Sequence, residues 1–490
     1  MTKPGTLSRS FLWATSGTVL QTGAQLIALV ALARLLTPFE FGVATIATLV
    51  TQLCLAFSEF GVAPFIVHSA TLSPSLLGSG FLLSCLFGIG VAVVVWLMAP
   101  LLGQLTGVEV LIPAIRVLSV VFLIRGWSAV QESLCQRELD FRFLARVDGW
   151  SFGIGYAVVA VGCAMSGLSY WSVIIGQIGQ AAIRAALLGA RHRNLSALPS
   201  SFADGKQILK FGVGQTFARF GSYVGSQADS YLVAAFIGVV STGHYGRANQ
   251  LVTMPSFYIG QVFDRFVFPV IARLQGDTIR LPKAYLMAVS GASLISVPMA
   301  VLTWLFADAG VSVILGKQWS AAVAVVQILA LAVPFRMLHK VADPTARALG
   351  ATYTRAWRQW LFAAMVFSLG FVLLSLGING VAWAVVVSTM LDAMLMTYLC
   401  CRLADVSIAE VLRALVPATR IGMAALVLGG ATHAVGVAID IGSAAVLLSG
   451  VGIGGVLLAF VFSKNTGVLL GRDGEQLISV VRSDIRSALR

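Results

Sequence analysis

Residues 76–99 read LLGSGFLLSCLFGIGVAVVVWLMA, an apolar run that contains no charged side chain. A helix needs roughly 20 such residues to cross the hydrocarbon core of a bilayer. A run of this length does not fit the surface of a water-soluble protein, because a water-facing surface needs charged groups. The stretch therefore predicts a transmembrane helix.

The same kind of run recurs along the whole chain. Fourteen candidate spans lie near residues 11–33, 41–67, 76–99, 112–134, 147–166, 169–189, 209–238, 247–271, 284–306, 320–339, 357–376, 380–400, 416–436 and 441–462. The strands of a membrane β-barrel would instead alternate in runs of about ten residues. We predict an all-α integral membrane protein with about 14 transmembrane helices.

The composition excludes several other classes of protein. Hydrophobic residues make up 58% of the chain and charged residues 11%, whereas soluble proteins carry about 25% charged residues. The net charge of +13 could suit nucleic acid, but no soluble domain is available to present a basic face, so no nucleic-acid partner is expected. The six cysteines form no CxxC pair, so neither a disulfide framework nor a metal site is predicted.

The basic residues predict the orientation of the chain in the membrane. With the N-terminus inside, 25 of the 33 Lys and Arg residues lie in inner loops and tails, Arg184 among them, and only Arg34, Arg247 and Lys317 lie outside. Such a bias towards the cytoplasmic side is the usual topology signal of membrane proteins. We expect a multi-pass protein of the bacterial inner membrane with both termini in the cytoplasm.

An internal repeat divides the chain. Residues 37–44, TPFEFGVA, align with residues 241–248, STGHYGRA, after a shift of 204 positions. A repeat of six helices gives two copies of the same orientation, related by an axis along the membrane normal. We predict two pseudo-symmetric six-helix lobes, 1–195 and 196–405, around a central cavity, followed by two additional transmembrane helices, 406–463, and a cytoplasmic basic tail, 464–490.

Polar side chains follow one face of several predicted spans. In the seventh span, residues 215, 219, 222, 226 and 229 keep within about a quarter of the helix circumference at 3.6 residues per turn. The first, second and eighth spans carry comparable stripes. The stripes comprise Gln215, Arg219, Ser222, Ser226 and Asp229; Thr15, Thr18, Thr22 and Gln25; Thr48, Gln52 and Glu59; and Gln250, Gln261, Asp264 and Arg265.

Two interpretations of these stripes are open. Ser, Thr and Gln side chains can hold helices together by hydrogen bonds, or they can face a cavity. Full charges inside a membrane are costly and usually face a bundle interior or a wet cavity, although a structural Arg–Asp pair between the seventh and eighth spans would also account for them. We assign Glu59, Asp229, Asp264 and Asp392 to ion coupling or charge pairing.

Five arginines, at 116, 125, 219, 265 and 336, are assigned to the interiors of the predicted spans and not to their inner or outer ends. Guanidinium groups suit a phosphate-bearing substrate, because they stay charged and offer planar, bidentate donors. Arg336 and Asp343 lie near the inner end of the tenth span. Two interpretations of these residues are open, a gate and a salt bridge. The candidate substrate-binding residues are Arg219, Arg265, Arg125, Gln215, Gln25, Gln52 and Gln261.

Two short segments resemble a known family. ARLLTPFEFG at residues 33–42 is similar to the pattern A-R-L-L-x-P-x-x-F-G, and QRELDFR at residues 136–142 is similar to the inner-loop run of its polysaccharide branch. With the layout of twice six plus two helices, the chain resembles a polysaccharide or O-antigen flippase of the multidrug/oligosaccharidyl-lipid/polysaccharide exporter superfamily. The peptidoglycan-precursor branch is less similar, since the first span has no arginine before Arg34.

The resemblance implies a function without covalent chemistry. It implies that an undecaprenyl-diphosphate-linked oligosaccharide moves from the inner to the outer leaflet by alternating access, driven by a gradient of H+ or Na+ and without a cofactor. Arg219 and Arg265 match the diphosphate contacts by location. Membrane lipid, a polysaccharide polymerase and export machinery are the implied partners.

Two other functions are weighed against the flippase. A cation-coupled exporter of drugs or metabolites with the same fold would depend on Asp264, Asp229 or Glu59 and not on the arginines. An enzyme would need a catalytic group in a sizeable outer loop, and the loops near 100–111 and 307–319 are short. We therefore predict a transporter that is not an enzyme and has no catalytic residues.

Overall fold

A computed structural model describes residues 23–58, 60–69, 71–192, 201–439 and 442–461. Within these ranges the chain is helical and contains no β-strand, which confirms the predicted all-α class. Several predicted features lie outside the described residues, namely Thr15, Thr18, Thr22, Glu59 and the tail 464–490.

By its internal contacts the chain forms two compact units, residues 1–243 and 244–490. The helices of the first unit are α1 (Gly23–Leu35), α2 (Pro38–Ser58), α3 (Val62–His68), α4 (Pro74–Thr106), α5 (Leu111–Leu118), α6 (Val120–Arg137), α7 (Phe141–Trp150), α8 (Val159–Met165), α9 (Trp171–Arg191), α10 (Phe202–Ser226) and α11 (Ala228–Phe236). A π-helical stretch, Ser151–Val158, joins α7 to α8. Helix α12 (Val239–Arg273) begins in the first unit and continues into the second.

The described residues of the second unit also form helices joined by short turns. After α12 its helices are α13 (Arg280–Leu305), α14 (Ala307–Gly310), α15 (Ala322–Ala330), α16 (Val333–Ala348), α17 (Thr352–Val372), α18 (Gly377–Ala404), α19 (Ile408–Ala438) and α20 (Ser443–Val461). Its main core joins α12, α13, α16 and α18 around the buried side chains of Tyr285, Met337 and Met396.

The boundary between the two compact units, after residue 243, lies further along the chain than the predicted boundary between the lobes. The predicted boundary follows residue 195, whereas α10 packs against α2, α3 and α4 and so belongs to the first unit. The two units are defined by their internal contacts, which say nothing about symmetry between repeats. The pseudo-symmetric lobes therefore stay a prediction.

Eight helices or helix runs among the described residues are long and apolar enough to cross a membrane, or nine if α15 and α16, bent by 46°, form one span. The most apolar, Pro74–Gln104, has a mean hydropathy of 2.5 and buries only 22% of its most apolar stretch inside the protein, as expected of a surface in contact with lipid. The chain is therefore a multi-pass membrane protein. The count of fourteen spans is consistent with the helices and stays a prediction.

Small residues allow close helix packing in the first unit. Helices α4 and α6 approach at Gly88 and Gly126, where a Cβ on Gly88 would lie 2.6 Å from the carbonyl oxygen of Phe122. Such approaches are characteristic of membrane helix interfaces. At the break between α2 and α3, Gly61 adopts a left-handed φ of 68° and lies against Gly212 of α10.

The seventh predicted span is broken where the sequence predicts one continuous helix. Gln227, with φ −122° and ψ 14°, separates α10 from α11. The polar stripe therefore spans two helices, and Asp229 lies in the first turn of α11.

Candidate functional site

A cavity of about 390 Å³ lies in the first unit, between α3, α6 and α10. Its walls combine apolar side chains with groups that can carry charge or donate hydrogen bonds. It is lined by Ala63, Pro64, Val67, His68, Ala129, Glu132, Gln136 and Arg219. The cavity is large enough for a small polar headgroup, since ligand pockets start at about 300 Å³.

The backbone of α3 is fixed at this cavity by the end of α6. Nη1 of Arg137 donates hydrogen bonds to the carbonyl oxygens of Ile66, at 2.7 Å, and of Ser69. These carbonyls lie at the C-terminal end of α3, where a helix leaves its last C=O groups without helical partners. Arg137 thereby sets the position of His68 and Val67 relative to α6.

Glu132 is held in the cavity wall by a buried ion network. Nη2 of Arg184 donates to Oε1 of Glu132 at 3.0 Å, and Nη1 of Arg184 contacts Oε2. Nε of Arg184 donates to Oδ1 of Asp148 at 3.0 Å. The Arg184 side chain is only 11% exposed. A single guanidinium on α9 therefore joins carboxylates from α6 and α7.

Two further arginines act on the same carboxylate. Glu132 interacts electrostatically with Arg125 and Arg219 as well as with Arg184. Nε of Arg125 is buried and has no hydrogen-bond partner within the described part of the chain. With Asp148, the five groups carry three positive and two negative charges. The site is therefore cationic and can stabilise an anion through donors that Glu132 does not occupy.

The contribution of Arg184 corrects the sequence analysis, which placed this residue among the inner-loop cations. The structure places it inside α9 and almost fully buried. Asp148 and His68 were not predicted from the sequence. A signal for Arg184 was present: Gln177, Gln180 and Arg184 are spaced 0, 3 and 7, which puts them on one helix face.

One predicted substrate-binding residue of the first unit, Gln52, contacts a neighbouring helix. Oε1 of Gln52 accepts a hydrogen bond from the Tyr223 hydroxyl at 3.0 Å. Its helix neighbour Thr48 accepts one from Nε2 of Gln177 at 2.7 Å. Gln25 is half-buried on α1, and the backbone of Gln215 lies in α10. Arg219 lines the cavity and Arg125 interacts electrostatically with Glu132 in its wall, while substrate contacts of these arginines and of the glutamines stay a prediction.

Asp229 is buried at the start of α11. Its Oδ1 accepts a hydrogen bond from the backbone N–H of Ser230 at 2.7 Å. This places the carboxylate where the free N–H groups and the dipole of a helix N-terminus favour negative charge. Its predicted coupling or pairing role stays a prediction.

The remaining predicted residues belong to the second unit or to α12. Asp264 and Arg265 lie along α12 with the half-buried Gln261. On α16, Oδ2 of Asp343 lies 3.2 Å from Nε of Arg347. Arg336 is half-buried on the same helix. Asp392 on α18 meets His339 of α16, with Oδ2 of Asp392 at 3.3 Å from Nε2 of His339. The gating role of Arg336 and Asp343 stays a prediction.

Residues 31–324 match a protein family described as "Polysaccharide biosynthesis protein". Two similar proteins are the lipopolysaccharide biosynthesis protein WzxC of Escherichia coli (strain K12) and the teichuronic acid biosynthesis protein TuaB of Bacillus subtilis (strain 168). WzxC is 25% identical over 345 residues, which are 69% of this chain and 68% of WzxC. TuaB is 23% identical over 330 residues, which are 66% of this chain and 68% of TuaB.

Two solved structures share the fold. The lipid II flippase MurJ in an inward closed conformation superimposes with a TM-score of 0.72 and 12% identity, over 92% of this chain and 99% of MurJ. An inward-facing multidrug resistance MATE family transporter of the MOP superfamily superimposes with a TM-score of 0.62 and 14% identity, over 79% of this chain and 96% of that transporter. At such identities the likeness concerns the fold.

Proposed function

Because the chain belongs to the polysaccharide biosynthesis protein family, we propose that it moves an undecaprenyl-diphosphate-linked oligosaccharide from the inner to the outer leaflet of a bacterial inner membrane. Membership confirms the resemblance found in the sequence and the prediction that the chain is a membrane transporter and not an enzyme. The repeat unit of an exopolysaccharide or O-antigen is the proposed cargo. Alternating access, coupled to an ion gradient, is the proposed mode of transport, and both termini are proposed to face the cytoplasm.

The observation that carries the proposal is the cationic cavity around Glu132. A lipid diphosphate brings negative charge into the membrane, where an unpaired charge is costly. Arg219 in the wall, and Arg125 with its unpartnered Nε, offer the charge-assisted donors that a diphosphate accepts.

The ion network around Arg184 supports the same function in a second way. Arg184 and Gln136 both donate to the Glu132 carboxylate, Gln136 through Nε2 at 3.3 Å. This fixes the carboxylate in the wall and leaves the site with one net positive charge. A headgroup can then be bound without the excess of positive charge that would delay its release.

The relatives support a sugar-bearing cargo. The name of WzxC refers to lipopolysaccharide biosynthesis and that of TuaB to teichuronic acid biosynthesis. MurJ, whose fold this chain shares, is a flippase for lipid II. We propose a cargo of the same chemical class, delivered to a polysaccharide polymerase and export machinery.

The proposal is tested in cells that lack the gene and are complemented with Arg219→Ala, Arg125→Ala or the control Arg280→Ala, whose side chain is 77% exposed. A lost charge-assisted hydrogen bond is worth about 1.5 to 3 kcal/mol, or about tenfold or more in binding. We expect lipid-linked oligosaccharide to accumulate on the inner leaflet with the first two variants and not with the control. Normal polymer output from both variants, at normal protein levels, would contradict the assignment.

The competing exporter hypothesis predicts a different result in the same cells. A carrier of cationic drugs depends on its acidic residues and tolerates loss of its arginines. Drug resistance that follows Asp229→Asn and is unchanged by Arg219→Ala would favour that hypothesis.

A further inference from the structure

A buried aspartate and a half-buried histidine meet between α16 and α18 in the second unit. Nε2 of His339 lies 3.3 Å from Oδ2 of Asp392. The Asp392 side chain is 13% exposed and that of His339 is 35% exposed. Asp392 lies near the middle of the apolar run 374–404, so the pair is at membrane depth. A carboxylate at such a position is retained where it has a function or a partner.

The other charged groups around Asp392 come from two helices. Asp343 of α16 and Arg358 of α17 interact with it electrostatically. Nη1 of Arg358 also donates to the carbonyl oxygen of Leu395 on α18. The sequence of α15 contains no charged residue, and α13 contains none after Lys283. Of these neighbours, His339 contacts the Asp392 carboxylate directly, and histidine commonly carries protons in proteins.

The chemistry of the pair favours a proton over a sodium ion. Hard cations take oxygen ligands, but the neighbour of Asp392 is an imidazole nitrogen. Protonation of His339 changes the net charge of the pair from −1 to zero. The bound proton would lie between Nε2 of His339 and Oδ2 of Asp392, which are already 3.3 Å apart.

Resting on the proposed function, we propose that the His339–Asp392 pair is the proton-binding site that couples transport to a proton gradient. Loading with a proton removes the net charge of the pair in a region of low dielectric, where the cost of a net charge is high. A conformational change that alters the exposure of the pair is therefore favoured in the protonated state. The proton enters and leaves on His339, and Asp392 stabilises the imidazolium.

The test uses the full chain in liposomes with a pH-sensitive dye trapped inside and the membrane potential clamped by potassium and valinomycin. Undecaprenyl diphosphate is the probe, and the rate of probe-dependent proton movement is measured across a pH gradient and across a Na+ gradient. The variants are His339→Asn, Asp392→Asn and the conservative Asp392→Glu. His433→Asn is the matched control, since the His433 ring packs against Phe306 at 5.7 Å. Probe binding to each purified variant is measured separately.

We expect about a tenfold loss of proton movement in His339→Asn and Asp392→Asn, partial recovery in Asp392→Glu and wild-type rates in His433→Asn, because only the first two remove a member of the His339–Asp392 pair. Probe binding should stay unchanged. Proton movement that survives in both variants, or transport that follows Na+ and ignores pH, overturns the inference alone. A wild-type chain that does not bind the probe overturns the proposed function, and the inference with it.

Discussion

Arg184 binds both oxygens of the Glu132 carboxylate, with Nη2 at 3.0 Å from Oε1 and Nη1 in contact with Oε2. The two residues lie 52 positions apart in the chain and on different helices, α9 and α6. Bidentate geometry fixes orientation as well as distance. The pair therefore ties two helices together and at the same time orients a charged group in the cavity wall.

Replacing Arg184 by Gln should strongly destabilise the first unit. Glu132 and Asp148 would lose their common partner, and breaking a buried ion pair from one side costs about 3 to 5 kcal/mol. The measurement is thermal unfolding of the purified protein in detergent. Arg191→Gln is the control, because Arg191 is 54% exposed and lies 3.6 Å from Asp140; an exposed pair contributes about 1 kcal/mol at most. Equal melting temperatures for the two variants would contradict this role for Arg184.

Replacing Gly61 by Ala should destabilise the junction of α2, α3 and α10. A non-glycine residue in the left-handed region costs about 1 to 2 kcal/mol, and a Cβ on Gly61 would also lie 2.5 Å from Cα of Gly212. Gly107→Ala separates the two effects, because Gly107 has a φ of 66° and open space around its Cβ position. Thermal unfolding should show the larger loss for Gly61→Ala, and equal losses would mean that the contact with Gly212 is unimportant.

The helices were predictable because apolar length alone determines which segments can lie in a membrane. Residues 76–99 lie inside α4, and residues 380–400 lie inside α18. The break at Gln227 was not predictable, since one residue outside the helical region leaves the apolar pattern of a span unchanged. The 46° bend between α15 and α16 was missed for the same reason.

The cationic character of the site was predictable from its residue types, but its geometry was not. Arg219 and Arg125 were identified because charge within an apolar span is costly. Arg184 was counted as a topology signal, because a basic residue near the end of a span has the same sequence signature in either role. Only the fold shows that Glu132 and Asp148 lie opposite Arg184.

The turn before α13 should respond to acid through Asp277. The backbone N–H groups of Arg280 and Ile279 donate to its carboxylate, at 2.9 and 3.0 Å, and hold its pKa below its usual range. The stabilisation is therefore complete above the ordinary Asp value of about 3.9 and is lost as the pH falls through the lowered value. The amide resonance of Arg280 should follow this titration in the wild type and not in Asp277→Asn. An identical pH response in both proteins would show that the carboxylate does not cap this turn.

Replacing Glu132 by Gln should strengthen anion binding at the cavity and slow release. The change removes a negative charge next to Arg219 and leaves the side chain nearly the same size. At an effective dielectric constant of about 20, one charge at this range alters binding by about 1 kcal/mol or more after screening, which is about fivefold. Binding of undecaprenyl diphosphate to the purified variant measures the effect, with Glu138→Gln, exposed at the end of α6, as the control. If Glu132→Gln binds the probe no more tightly than the control does, the diphosphate does not lie beside Arg219 within range of the Glu132 charge.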